Sequence, residues 1–156
     1  MAKEIERKFL VKNTSFKDLA FKIFDIQQGY ICKEPERTVR VRIKGDRAFL
    51  TLKTKNNGIE RDEWEFEIQV SEAREILDKM CNKRIIKSRY LVNHEGMTWE
   101  IDEFHDRLQG LIVAEIELPS PTTRFSLPQF IGKEVSDNPS YYNSCLLDRT
   151  SVDGLI

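Results

Sequence analysis

The sequence lacks several features that would assign the chain to a common functional class at once. Its three cysteines form no C-x-x-C motif, and it has no glycine-rich P-loop, signal peptide, long apolar run, internal repeat or low-complexity segment. Without a P-loop, any phosphate group must be bound by side chains. The odd number of cysteines, which leaves one unpaired, and the missing leader and apolar segments predict a reducing, cytoplasmic environment and no membrane association.

The chain also lacks a charge excess of either sign. It has 25 Lys and Arg against 26 Asp and Glu, a net charge of -1. This balance creates no overall field that would attract nucleic acid or an acidic membrane, so any anion site must be local. The two histidines, His94 and His105, lie at no metal-ligand spacing and are expected in turns or at the surface. The 156 residues can bury a core without disulfides, and we expect one domain over 1–156.

The most informative feature is an alternation of charged and apolar residues that begins at residues 4–11. A strand over this stretch has two different faces. They consist of Glu4, Glu6 and Lys8 on one side, and of Ile5, Arg7 and Phe9 on the other. Comparable alternation recurs along the chain and predicts further strands at 25–32, 38–44, 47–55, 59–70, 85–92, 97–104 and 111–118.

Helical periodicity is confined to short segments. The stretch 13–15 offers a cap for a helix over 16–23, and Ser71 for an amphipathic helix that reaches Cys81. Further short helices are predicted at 126–132 and 139–147, each near a proline. The predicted fold class is therefore α+β.

The eight predicted strands, joined mostly by tight turns, favour an antiparallel β-barrel or a strongly curved sheet. The apolar strand faces should pack against the apolar stripes of the helices, because each large side chain contributes about 1.5–3 kcal/mol on burial. These faces contain Ile5, Phe9, Val39, Val41, Leu50, Leu52, Trp64, Phe66, Trp99, Ile101, Ile116 and Leu118. If the helices cover the outside, the charged faces line the inside, and the barrel is a tunnel with a charged lumen.

A charged lumen is costly unless its charges are compensated. The cations and carboxylates could neutralise one another, or the cations could await a polyanion and the carboxylates a metal ion. The sorting of charges into cation-rich and carboxylate-rich faces favours the second arrangement. Arginine and lysine suit phosphate binding, whereas carboxylates from neighbouring strands could converge on Mg²⁺ or Mn²⁺.

The charged motifs resemble those of a known family. The stretch Glu4-Ile5-Glu6-Arg7-Lys8 resembles the E-x-E-x-K motif of the CYTH domain, also called the triphosphate tunnel metalloenzymes. The family's other motifs follow in order: Gln28-Gly29-Tyr30, Arg40-Val41-Arg42, Leu52-Lys53, Arg61-Asp62-Glu63-Trp64-Glu65, Lys87-Ser88-Arg89, Glu100-Ile101-Asp102, Ala114-Glu115-Ile116-Glu117, Gly132-Lys133-Glu134-Val135 and Tyr142-Asn143. E-x-E-x-K alone is a weak motif, but the ordered set is specific and spans nearly the whole chain.

The resemblance implies an eight-stranded tunnel that binds a linear triphosphate and Mg²⁺ or Mn²⁺. It implies phosphate binding by Lys8, Arg40, Arg42, Lys53, Lys87 and Arg89. It implies metal binding or water orientation by Glu4, Glu6, Asp102, Glu115 and Glu117. The expected catalytic residues are Lys8, Glu63, Asp102 and Glu117, and Glu65 and Glu100 are further expected members of the lumen.

The function that this resemblance favours is metal-dependent hydrolysis of inorganic triphosphate to pyrophosphate and phosphate. The expected partner is a small-molecule triphosphate, and the sequence leaves the oligomeric state open. Adenylate cyclase and thiamine triphosphatase activities on the same tunnel remain alternatives, because a fold does not fix a substrate. So do a non-catalytic polyphosphate-binding module and an ionic barrel without a ligand.

Overall fold

The computed structural model describes residues 2–156, and within them nine β-strands dominate. The strands are β1 (Ala2–Val11), β2 (Lys22–Glu34), β3 (Arg37–Lys44), β4 (Arg47–Thr54), β5 (Glu60–Ile68), β6 (Ile85–His94), β7 (Met97–Phe104), β8 (Ile112–Glu117) and β9 (Ile131–Glu134). The helices are α1 (Phe16–Leu19), α2 (Val70–Met80) and α3 (Asn143–Leu146), with 3₁₀ turns at Asp106–Leu108 and Pro139–Tyr141. No helix in this part of the chain is both long enough and apolar enough to cross a membrane.

The strands form a closed antiparallel barrel, as predicted. Eight of them follow the order β5-β4-β3-β2-β6-β7-β8-β1, and β5 also pairs with β1. This last pairing places Glu4 opposite Arg61 and closes the cylinder. The ninth strand, β9, adds to β1 beside Phe9 and Val11 and was not predicted. Closure leaves each of the eight strands with one face toward the lumen and one toward the outside.

Apolar side chains on the outer face form two of the buried clusters. Trp99, Ile101 and Ile116 pack with Phe9 and with Phe16 of α1. The second cluster joins β3 and β4 to Ala73 and Leu77 of α2 and includes Val41, Ile43, Ala48 and Cys81. The helices therefore cover the barrel from outside, in agreement with the predicted packing of apolar faces.

The predicted cover is incomplete on β4 and β5. Leu52 and Trp64 are each 36% exposed and Phe66 is 54% exposed. Leu52 lies opposite Trp64 across the two strands, and α2 packs mainly over β3 and β4. The prediction that helices bury this part of the outer face was wrong, because α2 packs mainly over β3 and β4.

The predicted helices also differ from the structure. The segment 16–23 is helical only to Leu19, since Phe21 N–H donates to the Leu91 carbonyl and the chain then enters β2. The helix expected at 126–132 is absent from the described chain, where Ile131 begins β9 instead. The one expected at 139–147 is broken at Tyr142 into a 3₁₀ turn and α3. In helix α2 the N-cap position is occupied by Gln69 and not by Ser71, and the Gln69 side chain makes no capping hydrogen bond.

The lumen changes from charged to apolar at one end. On the lumen-facing side of their strands, Leu10, Ile85, Phe104 and Val113 pack against residues of the C-terminal segment 138–155. The segment's contributions are Tyr141, Leu146, Leu147 and Leu155. These contacts bury the third cluster inside one end of the barrel, and the C-terminal segment thereby covers that end of the lumen.

Arg107 fixes this segment to the barrel. Its guanidinium donates hydrogen bonds to the carbonyls of Arg149 (2.7 Å), Leu147 (2.7 Å) and Arg84 (3.1 Å). The three cysteines, Cys32, Cys81 and Cys145, are free thiols. The cytoplasmic location expected from the sequence stays a prediction.

Helix α2 approaches β2 so closely that Gly29 has no room for a side chain. A Cβ at this position would lie 2.9 Å from both Cβ and Sγ of Cys81 and 3.0 Å from Cδ2 of Leu77. Gly29→Ala should therefore lower the free energy of unfolding by about 1–3 kcal/mol, the usual cost of overpacking. Urea unfolding of the variant and of wild type would measure this difference in free energy. Because Leu77 contributes to the clash, the cost should be smaller in a Leu77→Ala background; strictly additive costs would contradict the packing argument.

The ion pair between β1 and β9 should make stability depend on pH. Arg7 donates to Glu134 from Nε (2.8 Å) and Nη2 (2.5 Å). The hydrogen bonds from Arg7 and Ser136 hold the pKa of Glu134 below its ordinary value of 4.5. A lowered carboxyl pKa stabilises the fold above the unfolded-state pKa, and the effect is lost as pH falls through the folded-state pKa.

Glu134→Gln should thus lower the free energy of unfolding by about 0.5–1 kcal/mol at pH 7. The loss is small because the side chains of Arg7 and Glu134 are both partly solvent-exposed. The difference from wild type should shrink below about pH 4, as measured by urea unfolding at pH 7 and pH 3. Glu75→Gln on the exposed surface of α2 is the matched control. A difference that is the same at both pH values would show that charge is not its source.

Candidate active site

The lumen forms a cavity of about 200 Å³ lined almost wholly by polar side chains. Among the described residues, eight cations and seven carboxylates line it. They are Lys8, Arg40, Arg42, Lys44, Lys53, Arg61, Lys87 and Arg89, with Glu4, Glu6, Glu63, Glu65, Glu100, Glu115 and Glu117. Every site residue predicted from the sequence lines this cavity except Asp102. Their convergence follows from strand alternation, which sends every second residue of each strand inward.

The six predicted phosphate-binding cations are all buried, each at most 9% exposed. Arg40 and Arg42 are the least satisfied of them. Arg40 Nη2 donates to Thr51 Oγ1 at 3.3 Å, and Arg42 Nη2 donates to Glu65 Oε2 at 3.5 Å. The buried Nε–H group of each arginine has no hydrogen-bond partner among the described residues. Burial and the charges of Arg40 and Arg89 lower the pKa of Arg42 to about 9, which leaves it protonated at neutral pH. Buried, unpartnered guanidinium donors suit an incoming oxyanion.

Asp102 organises the cations on β6. Its Oδ1 accepts from Arg89 Nε at 2.8 Å, and its Oδ2 accepts from Arg89 Nη2 at 2.9 Å and lies 2.8 Å from Lys87 Nζ. Burial would raise the pKa of Asp102, but the charges of Arg89 and Lys87 hold it well below the ordinary range. Asp102 is only 1% exposed. Its oxygens are thus occupied by cations, and its predicted metal-binding and catalytic roles stay predictions.

The carboxylates nearest the closure of the barrel share a second ionic network. Glu4 accepts from Lys53 Nζ at 2.8 Å and from Arg61 Nε at 3.0 Å. Burial would raise the pKa of Glu4, but a hydrogen bond with Glu63 and the charges of Lys53 and Arg61 lower it strongly. Conversely, burial and the same hydrogen bond raise the pKa of Glu63 to about 7. Two neighbouring carboxyls therefore have widely separated proton affinities, a pattern that is common in active sites.

A further group of carboxylates lies with like charges face to face. Glu6 pairs with Glu117 across β1 and β8, and Glu100 pairs with Glu115 across β7 and β8. Directly opposed like charges destabilise a sheet. Burial and the charges of Glu115 and Glu4 raise the pKa of Glu6 to about 8. A divalent cation would relieve this repulsion, and carboxylate oxygens are the ligands that Mg²⁺ and Mn²⁺ prefer.

These carboxylates do not make a complete metal cage by themselves. Within residues 2–156, no group of three acidic, histidine or cysteine side chains is arranged to hold an ion on its own. Such a geometry fits a cation whose remaining ligands are waters and substrate phosphates, as is usual for Mg²⁺.

Several residues of the site were not predicted. Arg61 and Lys44 lie at the same alternating strand positions as predicted lumen residues, so the alternation could have identified them. The C-terminal segment was predicted as a short helix and contains the motif Tyr142-Asn143, but no role in the site was predicted for it; the structure brings Tyr142, Asn143 and Ser144 to the cavity. Ser136, which follows β9, also lines the cavity, and its Oγ accepts a 2.9 Å hydrogen bond from the Lys8 main-chain N–H.

Comparison with known proteins identifies close relatives. The chain is 47% identical over 148 residues to an inorganic triphosphatase of Acetivibrio thermocellus, covering 94% of each protein. It is 32% identical over 147 residues to an inorganic triphosphatase of Nitrosomonas europaea, covering 92% of this chain and 95% of the relative. A crystal structure of an inorganic triphosphatase superimposes with a TM-score of 0.70 at 29% identity, covering 97% of this chain and 98% of that one.

The family assignment rests on a match that spans most of the barrel. The sequence model of the CYTH domain matches residues 2–144 and so includes all of the predicted site residues. Together with the 47% identical relative, this match shows that the chain belongs to the CYTH domain family.

Proposed function

We propose that the protein hydrolyses inorganic triphosphate to pyrophosphate and phosphate with the help of a divalent metal ion. The observation that carries the proposal is the lumen itself, where buried guanidinium groups with unpartnered Nε–H donors share one cavity with opposed carboxylates. The relatives named inorganic triphosphatase, at 47% and 32% identity over nearly the whole chain, support the same activity.

The cations would bind and orient the substrate. Arg40 and Arg42 lie on β3 opposite Thr51 and Phe49 of β4, and Arg89 is fixed by two hydrogen bonds from its guanidinium to Asp102. Such pre-organised donors cost little reorganisation when charge accumulates on phosphate oxygens. Lys8, held 3.2 Å from Glu115, adds a point charge deep in the lumen. Asp102 would thus act through the cations that it positions.

The carboxylates would hold the metal ion and accept a proton. Glu6, Glu115 and Glu117, with Glu4 beside them, form the donor set for Mg²⁺ or Mn²⁺; when bound, the ion would neutralise phosphate charge and position water. Glu63, whose pKa near 7 suits a general base, would take the proton of the attacking water. The water oxygen bonds to the terminal phosphorus, the bridging P–O bond breaks, and pyrophosphate leaves.

Phosphate release from inorganic triphosphate in the presence of Mg²⁺ or Mn²⁺ tests the proposal directly, with pyrophosphate, thiamine triphosphate and ATP as parallel substrates. The expected result is rapid phosphate release from inorganic triphosphate, slow release from the other three substrates, and loss of activity when a chelator is added. Formation of cyclic AMP from ATP, with triphosphate inert, would replace the proposal by a cyclase. A triphosphate-dependent rise in melting temperature without turnover would indicate a binding module instead.

Replacement of a lumen cation should impair turnover severely. Arg42→Ala should lower kcat/KM for triphosphate by roughly 10²-fold or more, because a pre-organised charge is lost from the substrate site. Lys8→Ala should do the same. The matched controls are Arg124→Ala and Lys133→Ala, which remove cations of the same types from the exposed surface and should leave kcat/KM unchanged. Intact metal-dependent hydrolysis in both lumen variants would show that the assigned site is wrong.

Replacement of a carboxylate in the proposed donor set should affect the metal first. Glu117→Gln should raise the metal concentration needed for half-maximal activity by roughly tenfold or more, because a charged ligand becomes neutral. The triphosphate KM at saturating metal should change much less. Activity would be titrated with MnCl₂ and MgCl₂, with exposed Glu72→Gln as the control. A variant with an unaltered metal dependence would remove Glu117 from the donor set.

A further inference from the structure

The C-terminal segment contacts the two most deeply placed lysines of the lumen. Lys8 Nζ lies 3.4 Å from the Tyr141 carbonyl oxygen and 5.5 Å from the centre of the Tyr142 ring. Lys87 Nζ donates a 3.0 Å hydrogen bond to Asn143 Oδ1. Each lysine is therefore held between a barrel carboxylate, Glu115 or Asp102, and an acceptor from the C-terminal segment.

The contact with Lys87 fixes the orientation of the Asn143 amide. An ammonium group has only donors, so Oδ1 must face Lys87 and the NH₂ group must face away from it. No hydrogen bond from Asn143 Nδ2 is present among the described residues, and Asn143 lines the same cavity as the arginines. The amide therefore offers two unused donors to a group in the lumen.

We propose that Asn143 is a phosphate-binding and positioning residue of the tunnel. Its Oδ1 holds Lys87 in place, and its NH₂ group donates to an oxygen of the phosphate at the end of the lumen covered by the C-terminal segment. This assignment rests on the proposed triphosphatase function and deepens it. It makes the covered end part of the substrate site as well as part of the hydrophobic core.

The segment is fixed firmly enough to place the amide. Tyr141, which precedes it by two residues, is 7% exposed, and its OH donates a 2.9 Å hydrogen bond to the Leu155 carbonyl. Leu146, three residues after it, is fully buried. The Asn143 carbonyl accepts from Leu147 N–H whatever the side chain, so a substitution at position 143 leaves this backbone contact available.

The test compares Asn143→Ala, which loses both amide functions, with Asn143→Asp, which keeps the acceptor for Lys87 and replaces the donors by a negative charge. Asn143→Ala should raise the KM for triphosphate roughly ten- to a hundredfold, as expected for a lost hydrogen bond to a charged group, with a smaller change in kcat. Asn143→Asp should raise it at least as much. In both variants the triphosphate-dependent rise in melting temperature should shrink.

Asn138→Ala separates this role from general stabilisation of the segment. The Asn138 side chain caps the 3₁₀ turn by accepting from Ser140 N–H and is exposed; its loss should lower the melting temperature while KM stays at the wild-type value. If Asn138→Ala raises KM as much as Asn143→Ala, or if both Asn143 variants bind triphosphate like wild type, the assignment is overturned.

An active wild type with unaffected Asn143 variants would refute this inference alone. A wild type that binds triphosphate without turnover would refute the proposed function, and the thermal shifts would still test Asn143. A wild type that neither binds nor turns over triphosphate would refute both.

Discussion

Burial of opposite charges inside a closed barrel is the constraint on which the rest of this structure depends. An isolated ion in such a lumen would cost several kcal/mol, and the strand register distributes that cost by setting cations beside carboxylates. Lys53 lies between Glu4 and Glu63, and Arg89 bridges Glu100 and Asp102. These pairs require closure of the barrel, because Glu4 is brought near Lys53 and Arg61 only when β1 pairs with β5.

A second constraint, the burial of apolar side chains at one end of the barrel, explains why the C-terminal segment lines the lumen. The lumen is ionic along most of its length, but Leu10, Phe104 and Val113 make it apolar at one end. An apolar end left open would expose these side chains to water. The segment buries them with its own leucines. On its polar side, Asn143 accepts a hydrogen bond from Lys87. Hydrophobic burial thereby holds a polar group at a defined position in the lumen.

The sequence predicted the parts of this arrangement that follow from local periodicity. Alternation at Glu4, Glu6 and Lys8 required only that a strand have two faces, and eight such strands indicated a barrel. The ninth strand escaped prediction, and the C-terminal segment was predicted as a helix but not at its place in the lumen, because both positions depend on tertiary contacts. Pro128 and Pro139 suggested helix starts, whereas pairing with β1 and packing at the end of the lumen determined the outcome. Asp102 shares the periodicity of Glu100, and only the packed structure reveals that cations occupy both of its oxygens.

The near balance of charge in the lumen bears on how a polyanion could enter it. Eight cations and seven carboxylates line the cavity among the described residues, with Asp102 behind them. A highly charged triphosphate entering alone would meet the carboxylates as well as the arginines, so part of its attraction would be cancelled. Entry together with a divalent cation would change this, because in the proposed site the cation would bind near Glu6 and Glu117 while the phosphates would bind near Arg40 and Arg42. This separation would favour the metal–triphosphate complex over either ion alone, and it would link substrate binding to metal binding by electrostatics.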